Sequence, residues 1–190
     1  DLQRLLVEKS QISPYWINQL SQIQHGNARN LIKNLTYINP VGFVGAKGPA
    51  KDDSYQAFYL EQKKKHPECV ILMRTGEFYE TMGVDALMLI AYSGLNAMGG
   101  KAKAGCPIGN IQATLDGLTD HGLSVAVYEE KAPHGEIIDP KKKIKSRSLS
   151  QIVFPGASTY MYDLSLRSDN IEFRENYPVI GVIKTISGYT

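Results

Sequence analysis

The chain has 190 residues, enough for one hydrophobic core or for one domain with parts of its neighbours. Its hydrophobic content of 43% is that of a globular protein, and no stretch approaches the roughly 18 apolar residues of a membrane-spanning helix. Two cysteines, Cys69 and Cys106, are too few for a disulfide framework and form no zinc-binding motif, which favours a reducing compartment. The net charge of +2 does not by itself indicate a nucleic-acid-binding protein.

Residues 1–50 are predicted to form a helical extension that ends in a linker. Ser13 followed by Pro14 has the pattern of a helix start, and this helix is expected to reach about Gln24. Its hydrophobic face is formed by Trp16, Leu20 and Ile23. The other elements expected here are two short helices and a glycine-rich linker, at residues 1–9, 27–35 and 40–49.

Residues 51–133 alternate helical and strand patterns, which predicts an α/β domain with a mixed β-sheet flanked by helices. The expected order is helix, strand, strand, helix, helix and strand, at residues 53–65, 69–75, 77–82, 85–93, 110–122 and 123–128. Asp53 or Ser54 is expected to cap the first helix, and Gly76 is expected to allow a tight turn between the first two strands. Residues 96–105, rich in glycine and lysine, are predicted to be a flexible loop.

The remainder is predicted to contain a basic arm and the beginning of a second domain. Residues 134–176 are polar and basic, with one short strand expected at residues 151–154. Residues 177–190 contain the alternating pattern of the first strand of a further sheet. The chain is therefore expected to be a fragment of a longer protein.

Basic residues are clustered in three places: around Lys63, around Lys101 and Lys103, and between Lys141 and Arg147. Such clusters neutralise phosphates in nucleic-acid-binding proteins, but the same pattern is typical of solvated helix ends and loops. The residues alone leave both interpretations open.

No pattern typical of an enzyme is found. The sequence has neither a GxSxG nor an HExxH motif, its four histidines are scattered, and no acidic cluster suits a metal ion. Glu77 and Glu80 would point to opposite faces of a strand, and Glu129 and Glu130, at a strand end, are expected to be solvated. These observations favour a binding module over an enzyme.

Phe78 and Glu80 lie two positions apart in a predicted strand, so their side chains share one face and lie roughly 6 to 7 Å apart. An exposed aromatic side chain near a turn can enter a DNA duplex from the minor groove as a wedge. A neighbouring carboxylate would be repelled by phosphates unless it formed a hydrogen bond with a base edge. Packing of Phe78 in the core or on an ordinary surface is the alternative.

Two blocks of sequence resemble a known family. The first is RTGEFYE at residues 74–80, followed by Asp85; the second is AGCP at residues 104–107, followed by Gly122 and a strand that ends at Glu129. In identity and order they resemble the N-terminal mismatch-recognition domain of the MutS DNA mismatch-repair proteins. Further positions that resemble the organellar, plant-type MutS homologues are residues 92–96, 99–100 and 103–107.

The resemblance implies a MutS domain I-like fold and a role in DNA binding. In the family, the phenylalanine of the Phe-x-Glu motif stacks on a mispaired base from the minor groove and the glutamate hydrogen-bonds that base; Phe78 and Glu80 occupy these positions. The residues expected at the DNA are Phe78, Tyr79, Glu80, Lys101 and Lys103. The expected partners are double-stranded DNA with a mispair or small loop, and a MutS-type dimer partner.

The resemblance also implies how this stretch relates to a whole MutS protein. Residues 177–190 resemble the start of the family's connector domain, and no stretch resembles its ATPase domain. No enzymatic activity and no cofactor are therefore expected in this chain, because ATP and Mg belong to the full-length family. The location is expected to be organellar, mitochondrial rather than plastid, with the nucleus and the cytoplasm as alternatives.

A different role also fits the sequence. A MutS-derived domain could serve as a non-catalytic structural subunit of an organellar assembly such as a mitochondrial ribosome. The basic residues 141–147 would then contact ribosomal RNA or proteins, and Phe78 would be buried. A native mass several times that of this chain would favour the repair protein over this alternative.

Overall fold

A computed structural model describes residues 14–24, 26, 54–100, 103–130, 146–162, 184–185 and 188–189 of the chain. Its helices are α1 (Pro14–Gln22), α2 (Tyr55–Lys65), α3 (Val84–Tyr92) and α4 (Ile111–Thr119). Its strands are β1 (Val70–Thr75), β2 (Phe78–Met82), β3 (Lys103–Pro107), β4 (Val125–Glu130), β5 (Arg147–Val153), β6 (Lys184–Thr185) and β7 (Gly188–Tyr189).

Five strands form one mixed sheet in the order β3-β2-β1-β4-β5. β1 pairs with β4 in parallel, and the other neighbouring pairs are antiparallel. A tight turn joins β1 to β2, whereas the parallel pairing of β1 with β4 requires a long crossover, which contains α3 and α4. This arrangement confirms the predicted α/β fold with a mixed sheet and flanking helices.

Alternate residues of β1 face two hydrophobic cores, one on each face of the sheet. Val70 and Leu72 pack with α1, α3 and α4, whereas Ile71 and Met73 pack with Tyr59 of α2. α3 contacts the sheet, α1 and α4, and seven of its nine residues are buried. This burial is expected of a helix whose residues are apolar on nearly all sides.

α1 packs against the same core as the sheet. The three residues of its predicted hydrophobic face are all buried: Trp16, Leu20 and Ile23. The indole Nε1 of Trp16 also donates a hydrogen bond to the carbonyl oxygen of Pro67, at 2.6 Å. Part of the predicted extension therefore packs on the domain, while the helices predicted at residues 1–9 and 27–35 and the linker at 40–49 lie outside the described residues.

β3 corrects one sequence prediction, because its first residues were expected in a flexible loop. Its glycine and lysine residues lack a hydrophobic alternation, and the strand forms by pairing with β2 in the register Tyr79 with Cys106 and Glu80 with Gly105. A Cβ atom on Gly105 would lie only 2.5 Å from the carbonyl oxygen of Tyr79. Glycine is therefore required for the two strands to approach at this point.

β5 is longer than the predicted strand at residues 151–154. It begins at Arg147 and pairs along β4 from Glu130 to Val125, with an irregular register between Val127 and Tyr128. Four of its seven residues are polar or charged, so the pattern of residues 147–150 is that of a loop. Pairing with β4, which sequence periodicity does not report, makes these residues the fifth strand of the sheet.

The ends of several elements agree with the sequence prediction. Ser54 caps α2 through its Oγ, which accepts a hydrogen bond from the backbone N–H of Ala57 at 3.0 Å.

β6 and β7 pair with each other, but residues 177–183 lie outside the described residues, so the connector-domain strand stays a prediction. None of the described helices combines the length and the apolar content needed to cross a membrane.

Candidate nucleic-acid interface

The turn between β1 and β2 presents Phe78 to solvent. Thr75 pairs with Phe78, so the loop has two residues, and Gly76 adopts a φ of +60° that a residue with a side chain rarely adopts. The side chain of Phe78 is 44% exposed. This exposure rules out the core position considered from the sequence and leaves an aromatic ring accessible at the end of the hairpin.

Glu80 lies on the same face as Phe78 and is paired with Lys103. Its Oε2 is 2.9 Å from the Lys103 Nζ, with the Glu80 side chain 13% exposed and that of Lys103 39% exposed. The pairing of β2 with β3 brings these two predicted site residues together. Tyr55 of α2 lies beside both, since its hydroxyl donates to the Glu80 carbonyl oxygen at 3.3 Å and its ring centroid is 5.9 Å from the Lys103 Nζ.

Gly105 determines where the Glu80 side chain can lie. A Cβ atom at Gly105 would lie 3.1 Å from Cγ of Glu80 as well as 2.5 Å from the Tyr79 carbonyl oxygen. Any larger residue would displace both the strand and the carboxylate. The AGCP block in the sequence contained this signal, but the residues alone assigned no role to its glycine.

Tyr79 is buried, which argues against its predicted place among the DNA-binding residues. Its side chain is 1% exposed and points to the opposite face of the sheet from Phe78 and Glu80, where its hydroxyl donates to Oε1 of Glu129. Burial raises the pKa of Tyr79, and the hydrogen bond to Glu129 raises it further. Tyr79 therefore belongs to the core, while Lys101 lies outside the described residues.

Glu129 is buried rather than solvated, contrary to the prediction for the end of β4. It is 5% exposed and accepts hydrogen bonds from the hydroxyl of Tyr79 and, at 2.6 Å, from that of Tyr160. Arg74 lies 3.3 Å away through its Nη1. Burial alone would lower the pKa of Arg74, but the hydrogen bond and charge of Glu129 raise it. This buried acidic centre was not detected in the sequence, since Glu129 and its three partners come from four separate segments.

Lys63 is a buried residue and not part of a phosphate-binding cluster. Its Nζ lies 2.6 Å from Asp85 Oδ1, 2.6 Å from the Cys69 carbonyl oxygen and 3.9 Å from the centroid of the Trp16 ring. Burial lowers the pKa of Lys63 and raises that of Asp85, and the charge of each partner opposes the shift of the other. The two interpretations considered from the sequence are both wrong for this lysine.

The other predicted basic positions include one exposed and one nearly buried side chain. Lys65 is exposed and paired with Glu61 at 2.6 Å, as in a solvated helix end. Arg147 is 5% exposed at its side chain and pairs with Glu130 at 3.1 Å, and residues 141–145 lie outside the described residues. Within the described part of the chain, no group of three or more histidine, cysteine or acidic residues is arranged to hold a metal ion.

The fold and the exposed hairpin define an α/β domain that carries an accessible aromatic ring beside a paired carboxylate. Residues 54–161 match the family model described as MutS domain I. The chain therefore belongs to the MutS family, and the resemblance found in the sequence is confirmed.

Three relatives illustrate the match. The chain is 36% identical over 183 residues to "DNA mismatch repair protein MSH1, mitochondrial" of Arabidopsis thaliana, which covers 92% of this chain and 16% of that protein. It is 32% identical to "DNA mismatch repair protein MutS" of Flavobacterium johnsoniae over 130 residues, 64% of this chain and 14% of that protein. The corresponding protein of Bacteroides fragilis is 32% identical over 121 residues, 59% of this chain and 13% of that protein.

The chain thus spans between 13% and 16% of the length of these relatives. Their names are those of mismatch-repair proteins, and they give no support to the alternative of a structural subunit in an organellar ribosome. The exposure of Phe78 also differs from the burial expected for that alternative.

Proposed function

We propose that this chain is the mismatch-recognition module of a MutS-type repair protein, which binds duplex DNA at a mispair or small loop. The observation that carries the proposal is the exposed ring of Phe78, 44% accessible, on the same strand face as the carboxylate of Glu80. Membership of the MutS domain I family supports it.

The wedge accounts for selectivity through the energy of unstacking. Inserting an aromatic ring between base pairs costs about a few kcal/mol per base step, and this cost is lower where pairing is already defective. Stacking of the ring on a base returns about 1 to 3 kcal/mol. The balance is favourable at a mispair and unfavourable in a perfect duplex, so the Phe78 ring selects the defect.

Glu80 supplies a hydrogen-bond acceptor for the displaced base. A carboxylate near the minor groove is repelled by the phosphates, and Lys103, 2.9 Å away, offsets that negative charge. The same base could then stack on the Phe78 ring and form a hydrogen bond with the Glu80 carboxylate, because the two side chains are neighbours on one face of β2.

The proposal includes a cellular setting. A mitochondrial location is supported by the Arabidopsis thaliana relative, whose name is that of a mitochondrial protein. We assign ATP hydrolysis to other parts of the full-length protein, because the match within this chain is to domain I, and we expect the protein to act with a MutS-type dimer partner.

The direct test compares two duplexes that differ at one base pair. The full-length protein is expected to bind a duplex with a single mispair or one-base loop at least about tenfold more tightly than the fully paired duplex. The reason is that stacking on the Phe78 ring contributes about 1 to 3 kcal/mol, of which the unstacking of a defective base step offsets only a part. A competition gel shift at fixed salt concentration measures the ratio. Equal affinity for the two duplexes would contradict the proposed function.

The pairing of Glu80 with Lys103 predicts coupled mutational effects. Lys103→Met is expected to weaken binding to mispaired DNA by about five- to tenfold, because the carboxylate is then uncompensated, but by less than about twofold when Glu80 is already replaced by glutamine. Equilibrium titrations of the single and double variants measure this coupling. An equal loss in both backgrounds would show that Lys103 contacts a phosphate independently of Glu80.

A further inference from the structure

The two-residue turn that carries Phe78 is hydrogen-bonded from the neighbouring strands. The backbone N–H of Gly76 donates to Oε1 of Glu130 at 3.2 Å, and Glu130 lies at the end of β4. The same oxygen accepts a hydrogen bond from Nη2 of Arg147, the first residue of β5, at 3.1 Å. The turn is therefore joined to two strands on the far side of β1.

Three backbone carbonyl oxygens in or next to the turn also accept hydrogen bonds. The carbonyl oxygen of Gly76 accepts from Nε of Arg74 at 3.2 Å, and the carbonyl oxygen of Arg74 accepts from Nε of Arg147 at 2.7 Å. On the opposite side, the backbone N–H of Ile108 donates to the carbonyl oxygen of Glu77 at 3.1 Å. Both residues of the loop are thus bonded to segments outside the hairpin.

This arrangement matters mechanically for a residue at the end of a hairpin. A glycine-containing two-residue turn has wide conformational freedom when its N–H and C=O groups face only water. A ring that enters a duplex must keep its position while the base step is unstacked, and conformational entropy that the turn loses on binding lowers the affinity. Hydrogen bonds that fix the turn before binding reduce this entropy cost.

We propose that Glu130 is a positioning residue for mismatch recognition: through its bonds to Gly76 and Arg147 it holds the turn so that the Phe78 ring is preset for insertion. This inference rests on the proposed function of Phe78. The two acidic residues at the end of β4 then have separate tasks, since Glu129 faces the buried tyrosines and Glu130 faces the turn.

The test uses the full-length protein with Glu130→Ala and Glu130→Gln. In the alanine variant without DNA, amide hydrogen exchange in a peptide that covers residues 74–80 is expected to rise at least about tenfold, with protection of the β4 core unchanged. The ratio of mispaired to perfect duplex affinity is expected to fall at least about fivefold. Glutamine, which keeps an acceptor oxygen, is expected to restore most of both properties.

The matched control is Glu61→Ala, which removes a carboxylate from an exposed ion pair on α2 and is expected to change neither property. Unchanged exchange in Glu130→Ala, or raised exchange with an unchanged affinity ratio, would overturn the inference while leaving the proposed function intact. If the wild-type protein itself binds the mispaired and the perfect duplex equally, both the proposed function and this inference are wrong. Should Glu130→Ala not fold, Glu130→Asp, which withdraws the carboxylate by one methylene, carries the same expectations and the same contrary outcomes.

Discussion

Replacing Phe78 by alanine in the full-length protein is expected to reduce the preference for mispaired over perfect DNA by about 10- to 100-fold, to near unity. The variant loses the stacking of one aromatic ring on a base, a contribution of about 1 to 3 kcal/mol. Because the ring is exposed and outside both cores, the loss should arise at the DNA and not from unfolding. Competition gel shifts with the two duplexes measure the preference.

Phe154 provides the matched control for this experiment. It is also an exposed phenylalanine, 50% accessible, but it follows the end of β5 that pairs with Val125, at the opposite end of the sheet from the turn. Phe154→Ala is expected to leave the preference within about twofold of wild type, since a surface substitution away from the site has small effects. A Phe78→Ala protein that still discriminates like wild type would contradict the wedge.

Replacing Lys63 by methionine is expected to destabilise the domain by about 3 to 5 kcal/mol, because it leaves the buried carboxylate of Asp85 without its cation. Asp85 is 0% exposed and also accepts hydrogen bonds from the hydroxyl of Tyr59 and the backbone N–H of Ile71, each at 2.9 Å. Replacing Asp85 by leucine as well is therefore not expected to restore stability, since those two donors would lose their acceptor. Urea unfolding of the chain measures both variants.

Lys65→Met is the control for this effect, on the same helix. Its ion pair with Glu61 is exposed, with both side chains more than half accessible, so the expected change is below about 1 kcal/mol. Similar losses of stability for the two lysine variants would contradict the assignment of Lys63 to a buried centre. Because neither lysine is proposed to contact a phosphate, both variants report on the stability of the domain and not on DNA binding.

Strand alternation predicted the central feature of the site. It placed Phe78 and Glu80 on one face of β2 and Tyr79 on the other, and the burial of the three residues follows this alternation. Tyr79 was included among the DNA-binding residues because it lies between the two positions of the Phe-x-Glu motif, although strand alternation places it on the opposite face. Period-two geometry was the better guide because it acts on each residue locally.

Pairing across the sheet was not predictable in the same way. β3 and the first part of β5 have polar, glycine- or serine-containing sequences that do not by themselves predict strands. They are strands because their backbones pair with the outer edges of β2 and β4. The lysine cluster on α2 shows the same limit. Lys63 and Lys65 belong to one run of three lysines, and the sequence does not distinguish them, yet Lys63 is buried against Asp85 and Lys65 is exposed.

The sequence by itself determined the order of most helices and strands, the face shared by Phe78 and Glu80, and the family, because these depend on periodicity and on short motifs within one segment. The tertiary structure alone decided which charges are buried and what holds the turn. Gly76 meets Glu130 across 54 positions of the chain, and Tyr79 meets Glu129 across 50. Such partners are determined by the packing of the sheet. Desolvation favours a hydrogen bond for a buried polar group, and no local sequence pattern indicates which distant group will form it.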